Sequence, residues 1–276
     1  MYTDYIYSLC ADGDDMWLGG LDGGITQYNL NTDTYKYHNI DGVSSMKIVN
    51  DSTLICGTAY GFSLINKHTG VFKQYASFEG TISGKSVRSI HVENKNSIWL
   101  ATEGDGLICF HPSSEKVETY TTMQGLPSDY LVKIENDEEG RLWCTTETEI
   151  FYLDMHTKNI VSMNDYLGIE QIGYTGGSTK TRDGHIIFGT VDGVIYFRPF
   201  ERSNIQAYSK TIFTDFRIFY NTVKAGSKGS VLTRSINETK NIVMDYDQNT
   251  FAFAFSSINF KYPNQVEYAY QLEGFD

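Results

Sequence analysis

A short string of residues recurs five times in this 276-residue chain and limits the possible folds more than any other feature. Each copy has three apolar residues, two small residues, a polar turn and a second apolar run. The copies span residues 16–28, 54–65, 98–110, 142–153 and 186–197. Their central apolar anchors are Trp17, Ile55, Trp99, Trp143 and Ile187, at separations of 38, 44, 44 and 44 residues. A period of about 40 to 50 residues that contains several short strands is typical of β-propeller blades.

The residues within one period fit such a blade. The third copy and its flanks predict strands at 87–92, 98–102, 106–110 and 116–121, separated by turn-rich clusters. No segment longer than eight residues has a helical period, so we predict an all-β region. Glycines at one phase of the repeat (Gly23, Gly61, Gly106 and Gly193) predict a tight turn with positive φ before the second apolar run. The fourth copy has Glu149 or Ile150 there, so its hairpin should turn differently.

Charge and motifs exclude several classes of function. The net charge of −12 argues against a nucleic-acid partner, because binding to a duplex depends on Lys and Arg that neutralise phosphates. The four cysteines form no CxxC pair and those in the repeats replace apolar residues, so we predict buried core positions, no metal site and no cofactor. No nucleophile, zinc-protease or phosphate-loop motif is present, which predicts a chain without catalytic residues.

The repeat ends near residue 200, and the composition then changes. Residues 198–210 are polar and irregular, whereas 211–226, 240–260 and 265–276 have strand patterns with alternating aromatic residues. We therefore predict two domains: repeats over 1–200 and a β-sandwich over 201–276. An immunoglobulin-like sandwich needs about seven strands, so this one should be incomplete.

Several of these segments resemble one protein family. Residues 136–146 match the pattern D-x-x-G-x-LW-x-x-T of the two-component regulator propeller repeat, and residues 121–134 carry its GLPS lead-in. Residues 182–199 resemble the closing blade of such an array. Residues 247–276 resemble the triple-tyrosine domain that follows it, although Tyr268 and Tyr270 are expected to pack the sandwich rather than touch a ligand.

The resemblance implies the periplasmic sensor region of a hybrid two-component system. Members place two propellers, commonly seven-bladed, before the triple-tyrosine domain, a membrane helix, a histidine kinase and response-regulator parts. Many sense breakdown products of polysaccharides. The implied partners are thus an oligosaccharide ligand and a second copy in a homodimer, with membrane contact only through downstream parts. Because this chain has five blades, a truncated sandwich and no recognisable signal peptide, we expect a fragment; a complete five-bladed propeller is the alternative.

Two other functions fit the repeat pattern. A protein-interaction scaffold without small-ligand binding is the main alternative. The other is a propeller glycan lyase or hydrolase, for which the sequence has no recognisable set of catalytic residues. If a ligand binds, loops at one rim are its expected location. The candidate binding residues are those in the turns at one phase of the repeat: Asp22, Tyr60, Glu103, Asp105, Glu147 and Asp192.

Overall fold

The chain divides into two compact units, Met1–Phe200 and Glu201–Asp276, in the computed structural model. The structure describes residues 5–20, 22, 24–40, 42–76, 84–167, 169, 172–199, 210–257, 268–271 and 273–274. Both units are built from antiparallel strands, with only short helical turns among the described residues, so the all-β prediction is confirmed. No helix in these ranges is long and apolar enough to cross a membrane.

The first unit contains five successive antiparallel sheets, which we call repeats 1 to 5. Repeat 1 comprises β1 (Ile6–Asp12), β2 (Asp15–Gly20), β3 (Gly24–Asn29) and β4 (Thr34–His38). Repeat 2 comprises β5 (Val43–Asn50), β6 (Thr53–Thr58), β7 (Gly61–Asn66) and β8 (Phe72–Tyr75). Repeat 3 comprises β9 (Val87–Asn94), β10 (Ser97–Thr102), β11 (Leu107–His111) and β12 (Lys116–Tyr120). The four strands predicted for repeat 3 are confirmed to within two residues.

Repeat 4 follows the same plan, and repeat 5 has three described strands. Repeat 4 comprises β13 (Leu131–Asn136), β14 (Arg141–Thr146), β15 (Ile150–Asp154) and β16 (Ile160–Ser162), and repeat 5 comprises β17 (Tyr174–Lys180), β18 (Ile186–Thr190) and β19 (Gly193–Phe197). A 3-10 turn at Thr122–Gln124 leads into repeat 4, and the single-turn helix α1 (Asn164–Leu167) leads into repeat 5. In every repeat the strands pair in chain order. Among the described strands, no sheet joins repeat 5 back to repeat 1.

The apolar cores lie between consecutive repeats. The first strand of each repeat contacts the first strand of the next, and each cluster takes side chains from two neighbouring sheets. Trp99 of repeat 3, for example, packs with Leu142 and Cys144 of repeat 4. The anchors Trp17, Ile55, Trp99 and Trp143 are fully buried, whereas Ile187 is only half-buried. The repeat pattern therefore predicts the core positions, apart from the anchor of the last repeat.

Three of the four cysteines belong to these cores, and Cys10 in β1 is half-buried. Cys56, Cys109 and Cys144 are buried, as the sequence predicts. Burial raises the pKa of Cys56 and of Cys109 to about 12. Both thiols are therefore protonated and unreactive at neutral pH.

A glycine with positive φ begins the third strand of repeats 1 and 2 and precedes that of repeat 3. Gly61 (φ 82) and Gly106 (φ 72) are two of these residues, and in repeat 1 the position belongs to Gly24 (φ 66). The predicted residue Gly23 lies outside the described residues. A Cβ at Gly61 or Gly106 would collide with the carbonyl oxygen of Tyr75 or Tyr120, the last residue of the fourth strand. Only glycine satisfies both the backbone angle and the close approach.

The hairpin of repeat 4 turns without glycine, as predicted. The Thr146 hydroxyl accepts the backbone N–H groups of Thr148 and Glu149 at 3.2 and 2.9 Å. The Asn164 side chain accepts the N–H of Ile150 at 2.8 Å. The threonine acceptor also occurs in repeats 2 and 3, at Thr58 and Thr102, so the contact with Asn164 is the feature of this turn that accompanies the loss of glycine.

The second unit has a three-stranded antiparallel sheet in its described part. Its strands are β20 (Thr211–Ile218), β21 (Asn221–Thr222) and β22 (Phe251–Ser257), with β20 in the centre. Two of the three predicted strand segments thus form strands. Of the segment predicted at 265–276, much lies outside the described residues, and 268–271 form no strand. Tyr268 packs its ring edge against Phe255, with a centroid distance of 5.4 Å, and Tyr270 is exposed.

Candidate functional site

The turns that join the second and third strands of neighbouring repeats lie along one edge of the array. The N–H of Gly61 donates to the carbonyl of Lys85, just before repeat 3, at 3.1 Å. The N–H groups of Gly104 and Gly106 both donate to the carbonyl of Asp129, just before repeat 4, at 3.0 Å. Each turn is thereby held to the segment that leads into the next repeat. We call this edge the rim.

An open cleft of about 620 Å³ lies on the rim of repeats 2 to 4. Its volume falls within the range of about 300–1,000 Å³ that is typical of small-ligand sites. We call it the rim cleft, and it is lined by Ala59, Tyr60, Gly84, Lys85, Ser86, Glu103, Tyr130 and Glu147.

The rim cleft brings together three of the six candidate residues. Tyr60, Glu103 and Glu147 come from the turns of three successive repeats and line the same space. Asp105 lies beside it, with its carboxylate 3.4 Å from the N–H of Lys85. Asp22 and Asp192 lie in exposed turns of repeats 1 and 5 and are not among the lining residues.

Glu103 makes contacts through both its side chain and its backbone. Its Oε1 accepts a hydrogen bond from Arg88 at 2.8 Å, and both side chains are about two-fifths exposed. Its backbone N–H donates to Ser86 at 2.9 Å, and Glu103 forms a β-bridge with Tyr130. The backbone of this acid is therefore fixed by contacts to segments on both sides. The pair with Arg88 is a surface ion pair of small net strength, so a ligand can compete for the carboxylate.

Two exposed tyrosines, Tyr60 and Tyr130, also line the rim cleft. Tyr60 and Tyr130 are 71% and 54% exposed, although most large apolar side chains of the repeats are buried. Tyr130 and Lys85 were not among the candidates, because both lie in lead-in segments rather than in turns of the repeat. A signal did exist for Tyr130, since it is a large aromatic residue in the polar lead-in of 125–130.

The groups of the rim cleft can accept and donate hydrogen bonds and offer aromatic surfaces to a ligand. They comprise two phenol rings, two carboxylates, one serine hydroxyl and one ammonium group. Within the described ranges, no group of three His, Cys, Asp or Glu side chains could hold a metal ion. Carboxylates accept hydrogen bonds from hydroxyl groups, and exposed aromatic faces pack against apolar surfaces of ligands.

Comparison with known proteins points to the sensors of two-component systems. No protein-family profile matches the sequence. The chain is 25% identical over 289 aligned residues to histidine kinase P4 of Formosa agariphila; the match covers 98% of this chain and 21% of that protein. The chain thus spans about a fifth of the length of this curated relative.

Two solved structures have a similar fold. Both are described as the extracellular domain of BT4673 from B. thetaiotaomicron, in one case as a hybrid two-component system and in the other as a one-component system. The first has a TM-score of 0.61 and 16% identity, and the match covers 79% of this chain and 33% of that one. The second has a TM-score of 0.59 and 14% identity, with 93% and 48% covered. The resemblance to two-component sensors is thus supported by both sequence and fold.

Proposed function

We propose that this chain is part of the periplasmic sensor region of a hybrid two-component histidine kinase, and that it recognises an oligosaccharide. The rim cleft is the observation that carries the proposal, because three successive repeats build one polar and aromatic pocket in a chain that resembles such sensors. The chain itself contributes recognition, and catalysis belongs to the kinase part of a longer protein.

In this proposal the five repeats are blades of a β-propeller. Support comes from the four-stranded meanders, the contacts between consecutive first strands and the cores between neighbouring sheets. The second unit would be part of an immunoglobulin-like sandwich, supported by its three antiparallel strands. Propellers commonly place ligands among the loops at one end, and the rim is such a loop edge.

Signalling would require the ligand to distinguish two arrangements of the sensor. A ligand can shift an equilibrium only by its difference in affinity for the two states. A cleft lined by three repeats can have different ligand affinities in two states, because a change in the angle between repeats alters the spacing of Tyr60, Glu103 and Glu147. A homodimer of sensor regions could then transmit the altered geometry to the kinase parts.

Calorimetric titration of the whole chain with a panel of plant and algal oligosaccharides tests the proposal. The panel should include neutral, amino and acidic sugars of three to six units. We expect saturable binding of at least one class. Absence of binding to every class, with retention of protein partners from a periplasmic extract, would instead support the interaction scaffold.

A further inference from the structure

We propose that the rim cleft selects uncharged oligosaccharides, with Tyr60 and Tyr130 as stacking surfaces and Glu103 and Glu147 as acceptors for sugar hydroxyls. This inference rests on the proposed function and names its ligand class. The arguments below disfavour two other classes of ligand: acidic sugars, such as uronates, and apolar small molecules.

The two tyrosines provide the first argument. Each presents more than half of its surface to solvent, and they approach the rim cleft from repeat 2 and from the lead-in to repeat 4. A sugar ring has apolar C–H faces and a hydroxylated edge. It therefore matches a pocket in which aromatic faces alternate with hydrogen-bond acceptors. An apolar ligand would displace water from the Glu147 carboxylate without offering it a hydrogen bond, which is costly.

The charges around the rim cleft provide the second argument. Glu103, Glu147 and the adjacent Asp105 contribute three carboxylates, against the two cations Lys85 and Arg88. Arg88 is not a lining residue and is paired with Glu103 at 2.8 Å, so Lys85 is the one cation among the described lining residues. The chain as a whole has a net charge of −12. A uronate chain would thus approach a negative surface and meet like charges, which costs affinity and slows association.

The rigidity of the Glu103 turn provides the third argument. The Thr102 hydroxyl donates to the carbonyl of Gly106 at 2.7 Å and accepts the N–H of Asp105 at 3.0 Å. The turn is also held to the carbonyls of Ser86 and Asp129 by backbone hydrogen bonds. The backbone that carries the acceptor is therefore ordered before ligand arrives, which lowers the entropy cost of binding a flexible polar ligand.

Calorimetry with chemically matched oligosaccharides tests the inference. The probes are linear hexasaccharides of glucose, mannose and xylose, and galacturonate of the same length. We expect at least one neutral hexasaccharide to bind at least about tenfold more tightly than hexagalacturonate. For a neutral ligand the affinity should change little between low and high salt, because the ligand brings no charge and the exposed Arg88–Glu103 pair is weak.

Substitutions in the whole chain locate the binding. Tyr60→Ala and Tyr130→Ala should each weaken binding of the neutral sugar by about tenfold, as loss of a stacking surface predicts. Tyr60→Phe should stay within about threefold of the parent chain, because the ring face is retained. Glu147→Gln should weaken binding less than the alanine variants, since the amide still offers one acceptor. Tyr196→Ala, an exposed tyrosine of repeat 5, is the matched control.

The outcomes separate this inference from the proposed function. Tighter binding of hexagalacturonate, or neutral-sugar binding that Tyr60→Ala and Tyr130→Ala leave unchanged, overturns the inference but leaves an oligosaccharide sensor intact. Failure of every sugar to bind refutes both. All of these variants should keep the circular dichroism and unfolding midpoint of the parent chain, because the changed side chains are exposed.

Discussion

Repeats 1 and 4 have the same strand order, but they differ in how many of their faces are covered. The first strand of each repeat carries an apolar residue opposite the second strand: Leu9 in repeat 1 and Ile134 in repeat 4, with Met46 and Ile90 between them. Leu9 is 56% exposed, whereas Met46, Ile90 and Ile134 are 3%, 2% and 4% exposed. The later residues are covered by the preceding repeat. Leu9 belongs to a face for which the described chain supplies no cover.

The tryptophan anchors also differ between repeats, in whether an acidic side chain accepts a hydrogen bond from the indole N–H. The indole N–H of Trp143 donates to Asp137 at 2.8 Å, and that of Trp99 donates to Glu93 at 2.9 Å. Trp17 occupies the same position, but its buried indole N–H has no partner among the described residues, and Ala11 lies where the other repeats have an acid. The apolar anchor is thus common to all three repeats. The acidic side chain that accepts a hydrogen bond from the indole N–H is present in repeats 3 and 4.

The acid of repeat 4 should have the largest effect on stability. Asp137 is buried and accepts hydrogen bonds from Arg141 Nε at 2.5 Å, from Trp143 Nε1 and from two backbone N–H groups. Asp137→Ala would leave the buried Arg141 guanidinium without this carboxylate, and we expect a loss of about 3–5 kcal/mol in the free energy of unfolding. Glu139→Ala, on the more exposed side of the same turn, should cost less than about 1 kcal/mol.

Urea unfolding followed by tryptophan fluorescence measures both variants. Similar small losses for Asp137→Ala and Glu139→Ala would contradict a bracing role for the buried acid. In that case the contrast between the Trp17 and Trp143 anchors would have no energetic meaning.

Covered and uncovered faces should respond differently to the loss of an apolar side chain. Ile134→Ala leaves a cavity between repeats 3 and 4, and we expect a loss of about 2–4 kcal/mol. Leu9→Ala removes a side chain that is more than half exposed, and it should cost less than about 1 kcal/mol. Chemical unfolding of the two variants gives the comparison directly. If Leu9→Ala is as costly as Ile134→Ala, the free face of repeat 1 is covered in solution, for example by a second copy of the chain.

The period of the repeat predicts local features well and long-range contacts poorly. The strands of repeat 3 follow from short apolar runs between turn residues, which are encoded within each copy. Tyr130 and Lys85 could not be placed at the rim cleft from the period, because lead-in segments reach it only through hydrogen bonds to the preceding repeat. The half-buried anchor Ile187 illustrates the same limit, since its burial depends on a neighbouring sheet rather than on its own repeat.

Glycines with positive φ should differ according to the space around them. A methyl group at Gly106 would collide with the carbonyl of Tyr120, whereas a methyl group at Gly13, in the first hairpin of repeat 1, would have no atom within 4 Å. Gly13→Ala carries only the backbone strain, about 1 kcal/mol. Gly106→Ala should cost about 2 kcal/mol or more, because the fourth strand must also move. Thermal unfolding should therefore show a clearly larger decrease in Tm for Gly106→Ala; equal decreases would contradict the close approach.

The residue opposite the tryptophan anchor gives the smallest predicted effect. This residue is Cys10 in repeat 1, His91 in repeat 3 and Glu135 in repeat 4. Burial is the main cause that lowers the pKa of His91 to about 4, with a further contribution from Lys47 and Lys180 and an opposing one from Glu93. His91 is therefore neutral in the folded chain at pH 6, whereas the unfolded chain begins to bind its proton near pH 6.5.

The sign of the pH dependence follows from this difference in proton binding. Because the unfolded state binds more protons between about pH 6.5 and about pH 4, the free energy of unfolding should fall as the pH decreases through this window. We expect the contribution of His91 to be about 1 kcal/mol, since the side chain is partly exposed. Urea unfolding at pH 7.5 and pH 4.5 should show a smaller decrease for His91→Gln than for the parent chain. The same decrease in the His91 variant as in the parent chain would mean that another group governs this window.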